Sequence, residues 1–492
     1  MDMESIHLNL HGEAQPLDRY FQNCIGSCHA YLTLREDWRE HARAIQREIG
    51  FRAVRSHAIF HDLVGIYQIP WGGERVFNFQ NLDKIYDFWL SIGLKPFVEL
   101  SFTPRALASG DHTVFHYGAN VTPPRDRGEW ELLIHTFATH LIERYGLEEV
   151  QTWYFEVWNE PDLQGIFWTG SMEDYFDLYA LTARALKGVH PSLKVGGPAT
   201  SRNLWVKEML DYCAAHQVPI DFISTHHYCA DAAFEMGEFS GVHWRGQKAM
   251  LRDVQRTVQA VRQSAFPHLP VFYTEWNVSP IHEDVYGKDS EFTAAFVLQT
   301  IKDLSGLLDV YSYWAISDVF EESGPGLTPF SGKYGLVNLH GIKKPVYHAF
   351  RFLSQLYDEE LLSEAPSLRV TRSPEGNVRV LTWNFVEPVN PDFHSDYPLS
   401  GGDREEEIIL DGLRGEYEVI GYRVDREHSN AFRAWQAMGS PQYLSHVQVE
   451  QLKQAAEPDV CFHQRLVLEG TLRLSHVLPP CGVRFYDIRR VA

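Results

Sequence analysis

Cysteine is scarce, with six residues in a chain of 492. Cys24, Cys28, Cys213, Cys229, Cys461 and Cys481 are too few and too scattered for a disulfide-stapled scaffold, so reduced thiols and cytoplasmic residence are expected. Basic residues are also in deficit: 44 Lys and Arg against 65 Asp and Glu give a formal net charge of −21. Such a field repels phosphate backbones and anionic lipid. No basic patch interrupts it, and the densest charge run, Asp403-Arg404-Glu405-Glu406-Glu407, is acidic. Nucleic-acid and membrane partners are therefore not expected, whereas neutral or cationic ones fit. No apolar run approaches the ~18 residues of a spanning helix. Residues 1–7 carry Asp2 and Glu4 without an apolar stretch, so a signal peptide is not expected. Fixed-period repeats and low-complexity segments are missing, which argues against solenoids and disorder. P-loop, dinucleotide-binding and nucleophile-elbow motifs are missing too, leaving those enzyme classes without support.

What is present is an ordinary globular composition, 44% hydrophobic and 13% aromatic, in a length that suits a large barrel plus an accessory domain. From about residue 20 to 350 the chain repeats one rhythm: a short apolar run, a polar loop, then an amphipathic stretch of helical period. The expected strands are 23–27, 53–57, 96–101, 152–158, 193–197, 222–226, 271–275 and 311–315. The expected helices are 38–49, 82–92, 129–145, 172–189, 204–216, 250–265, 292–305 and 347–357. Eight such alternations predict a parallel (β/α)8 barrel over 14–350. Beyond about 360 the runs turn short and alternating: 378–382, 407–410, 416–420, 464–468 and 483–488. Turn signals such as Glu375-Gly376-Asn377 and Asp411-Gly412 separate them. This predicts an antiparallel β-sandwich from 351–492, with residues 1–13 adding a strand.

Barrel chemistry sits just beyond the C-terminal strand ends. Two ends stand out there. The fourth strand runs Trp153-Tyr154-Phe155-Glu156-Val157-Trp158 into Asn159-Glu160-Pro161-Asp162, and the seventh runs Val271-Phe272-Tyr273 into Thr274-Glu275-Trp276-Asn277. A single Glu at a strand end is more often a solvated rim residue. Two carboxyls delivered across one ring to a common mouth point instead to the paired-acid chemistry of glycoside hydrolysis. Glu156, inside the fourth strand, reads as an interior acid paired with an arginine. Cys24, Cys28 and His29 have no second ligand pair, and adjacent His226 and His227 should face opposite sides of a strand, so no metal site is expected.

The string from Trp153 to Asp162, with Val54-Arg55-Ser56-His57, Asn120-Val121-Thr122-Pro123-Pro124, His226-His227-Tyr228 and Ser312 through Glu322, resembles the family 39 glycoside hydrolases, a family of β-xylosidases and α-L-iduronidases. The resemblance implies a TIM barrel with a β-sandwich, Glu160 as acid/base and Glu275 as nucleophile. It implies that Asn159 bonds the sugar 2-hydroxyl, and that His57, Phe115, His226, Tyr228, Trp314, Glu321 and Glu322 line the sugar pocket. Where the family has two consecutive acids after His57, this chain has Asp62 followed by Leu63, so Asp62 alone is carried over. The implied activity is that of a retaining exo-β-1,4-xylosidase acting on xylo-oligosaccharides through a glycosyl-Glu275 intermediate, without metal or organic cofactor. Trp158, Trp276 and Trp314 are expected as aromatic walls, and the 317–330 loop as the wall at the sugar C5. Rival readings are α-L-iduronidase, β-glucosidase, β-galactosidase or arabinosidase activity, or a non-catalytic carbohydrate-binding barrel. The oligomeric state is left open.

Overall fold

The structure, a computed structural model, describes residues 4–232, 242–246, 248–388, 399 and 401–491. Eight parallel strands close into a barrel: β1 (Ile25–His29), β2 (Ala53–His57), β3 (Lys95–Leu100), β4 (Tyr154–Val157), β5 (Lys194–Thr200), β6 (Phe222–Tyr228), β7 (Val271–Asn277) and β8 (Val310–Tyr313). Each pairs with its sequence neighbour, and β8 closes on β1. The eight expected helices form, for example Met172–Val189, opened by a Ser171–Asp174 capping box. Its start was legible because Ser and Asp at that spacing satisfy orphan N–H groups. Helices cover the strands outside, which is why barrel strands are buried on both faces.

The barrel interior is layered. Phe97, Tyr154, Phe222, Phe272 and Val310 fill its lower floor. Above them the inward positions turn polar, with Arg55, Glu99, Glu156 and Thr274 all fully buried. Charges survive there only because each is paired, since an orphaned buried charge costs several kcal/mol.

The β-sandwich forms as one curled sheet around a core containing Leu8, Val370, Val380, Ile408, Leu410 and Ile488. Three details depart from the sequence reading. The Glu4–Asn9 strand joins it in parallel, paired with residues 406–411. Ala14–Pro16, grouped above with the barrel, pairs with Glu359–Leu361 in this sheet. The Asp411-Gly412 turn signal is instead a register shift within one strand, Arg404–Val424, partnered by Asp459–Leu478. A glycine inside a strand marks a bulge as readily as a turn, and Gly412 has φ of +107°. Two helices, Ala431–Ala437 and His446–Ala456, sit between those long strands. Among the described residues no helix is long and apolar enough to cross a membrane.

Candidate active site

A cavity of about 530 Å³ opens at the C-terminal ends of the strands, lined by His57, Phe115, Asn159, Glu160, Tyr228, Glu275, Trp314 and Glu322, among others. Glu160 and Glu275 reach it by local departures from regular backbone. Plain alternation along β4 would turn Trp158 inward with Glu156. Instead Trp158 and Glu160 adopt positive φ (71° and 45°), a strained region for non-glycine residues and one that gathers at functional sites. Trp158 therefore swings out to Trp130 and Trp168 and donates to the Phe167 carbonyl at 2.7 Å. In β7 the register slips, so that Thr225 pairs with Tyr273 but His226 with Glu275. This bulge lets Thr274 and Glu275 both face inward, and turns Trp276 outward onto Tyr311 at 4.1 Å. Of the three expected aromatic walls, only Trp314 lines the cavity. Gly26 on β1 makes room for it, because a methyl there would overlap the Trp314 ring.

Carboxylate oxygens of Glu160 and Glu275 lie within 4.8 Å of each other. The two residues are 8% and 4% exposed, so each retains a face toward the cavity. Glu275 accepts from Arg55 Nη1 at 2.7 Å and from the Tyr228 hydroxyl at 2.9 Å. Arg55 also holds Glu156 at 2.5 Å, Glu99 at 2.8 Å and the Asn159 Oδ1 at 3.0 Å. With its oxygen taken, Asn159 offers the cavity its Nδ2 donors. Burial pushes both catalytic-candidate carboxyls up. Glu160 reaches about 8, with Asp231 and Glu322 adding to burial against the pull of His57 and Arg55. Glu275 is also raised by burial, against His226, Arg55 and His57. Only Glu275 has a guanidinium and a phenol bonded directly to it, so the proton that the pair shares belongs on Glu160.

His57 is a fixed cation. Burial alone would lower it, but Glu99 at 2.7 Å, with Glu322 and Glu275, pushes it up to about 10. Glu322, bonded to His282 at 3.1 Å, is held down at about 2 despite its burial. Its Oε1 is buried and faces the His57 cation, 3.5 Å away. Glu160, His226 and Glu275 are near enough to share a cation. With the Arg55 guanidinium bonded to Glu275, the set suits a proton better than a metal ion.

The chain matches the family described as "Glycosyl hydrolases family 39" over residues 4–472. The chain belongs to that family. A β-xylosidase of Caldicellulosiruptor saccharolyticus is 44% identical over 90% of this chain and 89% of its own. One from Geobacillus stearothermophilus is 37% identical over 95% and 92%. A solved monomeric β-xylosidase from Caulobacter crescentus CB15 is 35% identical and superposes with a TM-score of 0.93, covering 99% of this chain and all of that one.

In this family 39 hydrolase nine of the eleven expected site residues converge. His57, Phe115, Asn159, Glu160, Tyr228, Glu275, Trp314 and Glu322 line the cavity, and His226 sits fully buried beneath Glu160 at 3.0 Å. His226 was expected in the lining and lies outside it, and two more do not reach the cavity. Asp62 is exposed and accepts from the Arg105 N–H at 3.3 Å; Leu63 beside it is 44% exposed, so a second acid there would also face solvent. Glu321 turns away to pair with Arg35 at 2.6 Å and His29 at 3.4 Å, at the start of a turn closed by the Gly324 N–H on the Glu321 carbonyl at 3.3 Å. Phe320, expected at the C5 wall, is buried behind Trp314 with ring centroids 6.0 Å apart. Arg55 was not singled out in the sequence, although its alternation with His57 along β2 could have found it. His282, Phe167 and Tyr334, which also line the cavity, come from loops whose path no local pattern fixes.

Proposed function

We propose that the protein is a retaining exo-β-1,4-xylosidase that removes xylose from the non-reducing ends of short xylo-oligosaccharides. Glu275 attacks the anomeric carbon while Glu160 protonates the departing oxygen. Glu160, now a carboxylate, then deprotonates the water that hydrolyses the glycosyl-Glu275 ester. The supporting observation is the carboxyl separation, within 4.8 Å. Retaining enzymes need about 5–5.5 Å, and inverting ones need about 6.5–9.5 Å to seat a water. Asn159, Glu322, Trp314 and Phe115 all line the cavity, which supports polar groups for sugar hydroxyls beside aromatic ones for its apolar faces. Among the described lining residues Arg202 is the one Lys or Arg, and it has Asp231 at 3.9 Å. A neutral glycone fits this better than a uronic acid. The test is a panel of nitrophenyl glycosides with the product anomer followed by proton NMR. The β-xyloside should exceed the β-glucoside in kcat/KM by at least about tenfold, the discrimination of a pocket closed against one extra group, and β-xylose should appear first. Equal glucoside hydrolysis removes the pentose assignment and leaves the mechanism standing.

The pH dependence follows from the same pair. Glu160 must hold its proton, and it loses that proton as pH rises through about 8. Glu275 must be ionised, and it gains a proton as pH falls. A bell-shaped kcat/KM profile is therefore expected, with an alkaline limb near pH 8 and an acid limb belonging to the coupled pair. A flat profile from about pH 4 to 10 contradicts the two-carboxyl mechanism.

A further inference from the structure

Beneath the carboxyls lies a polar chain that the reaction above does not use. Glu156 Oε2 is held by Arg55 Nε, and Glu156 Oε1 receives the Thr274 hydroxyl at 2.7 Å. Thr274 Oγ1 in turn stands 3.1 Å from His226 Nε2, and His226 Nδ1 stands 3.0 Å from Glu160 Oε1. All of Glu156, Thr274 and His226 are fully buried, so no solvent relaxes the pattern. Its proton positions follow from valence alone. A carboxylate bound to a guanidinium only accepts, so the single Thr274 proton points to Glu156. The Thr274 oxygen must then accept, and His226 Nε2 must carry the ring proton. That leaves Nδ1 bare and facing Glu160.

We propose that Glu156 and Thr274 lock His226 in its Nε2–H tautomer, and that the bare Nδ1 acts as the acceptor that keeps Glu160 protonated and aimed. His226 is on this view a positioning residue, acting through Glu160. The inference rests on Glu160 being the acid of the proposed reaction. After the proton leaves, two lone pairs face each other across 3.0 Å, which penalises the Glu160 carboxylate and favours its recapture of a proton from the attacking water.

Other groups bear on Glu160, and none replaces this contact. His57 and Arg55 on β2 favour its ionised form, while Asp231 after β6, Glu322 after β8 and Glu275 on β7 oppose it. His226 itself feels Glu275 and Glu156 on one side and Arg55 and His57 on the other. Burial dominates and holds it down at about 4, so the imidazole is neutral at working pH. A neutral imidazole with a protonated carboxyl costs less in a dry site than the corresponding ion pair.

The test is Thr274→Val against Thr274→Ser. Valine keeps the shape but removes the acceptor of Nε2–H, so the ring proton moves to Nδ1 and donates to Glu160, stabilising its carboxylate. The alkaline limb of kcat/KM should fall by about one pH unit in Thr274→Val and stay at its wild-type position in Thr274→Ser. At a fixed pH near 9, above both limbs, xylobiose hydrolysis should drop about tenfold, whereas a dinitrophenyl xyloside, whose leaving group needs no acid, should lose less than about threefold. An unmoved limb in Thr274→Val, or an equal shift in Thr274→Ser, overturns the proposal. Should the valine variant not fold, ¹⁵N NMR of histidine-labelled wild-type enzyme, with His226 assigned by difference from His226→Gln, decides the question. An unprotonated Nδ1 supports the lock, and a protonated one overturns it. Failure of the acid assignment is distinguishable, because it shows as a Glu160→Ala enzyme still fully active on xylobiose.

Discussion

Glu160→Ala should lower kcat/KM for xylobiose by about 10²–10⁴-fold, the range that a lost general acid–base costs. The loss should depend on the leaving group. A dinitrophenyl xyloside departs without protonation, so Glu275 still forms the glycosyl-enzyme. That intermediate then accumulates, because no base activates water, and turnover shows a burst followed by a slow steady state. Azide needs no base. It should enter the space left by the side chain, attack the intermediate and give β-xylosyl azide. A variant that retains full activity on xylobiose would remove Glu160 from the role. Loss of structure is a poor alternative explanation, since Glu160 makes no ion pair with Arg55 and its removal leaves the Arg55–Glu99–Glu156 cluster intact.

The same residues show how far sequence reasoning reaches. Strand and helix order was legible because a parallel barrel repeats one pattern, apolar run then amphipathic helix, and each repeat corroborates the next. The acid at the end of β4 and the acid in β7 stood out for the same reason. What alternation could not give is which side chain each strand end presents. Strict alternation from Phe272 and Thr274 would have aimed Trp276 inward, and only the register slip at Thr274 brings Glu275 to the cavity. At β4 the positive φ of Trp158 does the equivalent work. Both are local defects paid for by the surrounding packing, and neither has a compositional signature.

Loop residues fared according to whether anything fixed their facing. Phe115 and Glu322 reach the cavity, but Glu321 and Asp62 do not, although each was carried over by position in a motif. A motif transmits residue order, whereas facing depends on partners elsewhere in the chain, here Arg35 for Glu321 and the Arg105 N–H for Asp62. In the accessory sheet, Asp411-Gly412 was read as a turn because glycine after aspartate favours one. The strand continues through it because residues 459–478 supply a partner along its whole length. Non-local pairing outweighed the local signal.

Glu275→Gly should be the most severe single change, reducing kcat on every xyloside by at least about 10⁴-fold, whatever the leaving group, because the covalent route is gone. Here the dinitrophenyl substrate offers no escape, which separates this variant from Glu160→Ala. Arg55 would still hold Glu99 at 2.8 Å and Glu156 at 2.5 Å, so its charge is not orphaned and the fold is expected to persist. The Tyr228 hydroxyl and Arg55 Nη1 would then face a vacancy below the anomeric carbon, a site suited to a small anion. Azide bound there attacks from the face opposite the leaving group, with Glu160 still donating its proton, and yields α-xylosyl azide by a single inversion. Rescue of Glu160→Ala instead passes through the intermediate and gives the β anomer. Proton NMR of the two azides therefore reads each carboxyl's role from a coupling constant rather than from a rate. The β azide from Glu275→Gly, or the α azide from Glu160→Ala, would exchange the assignments.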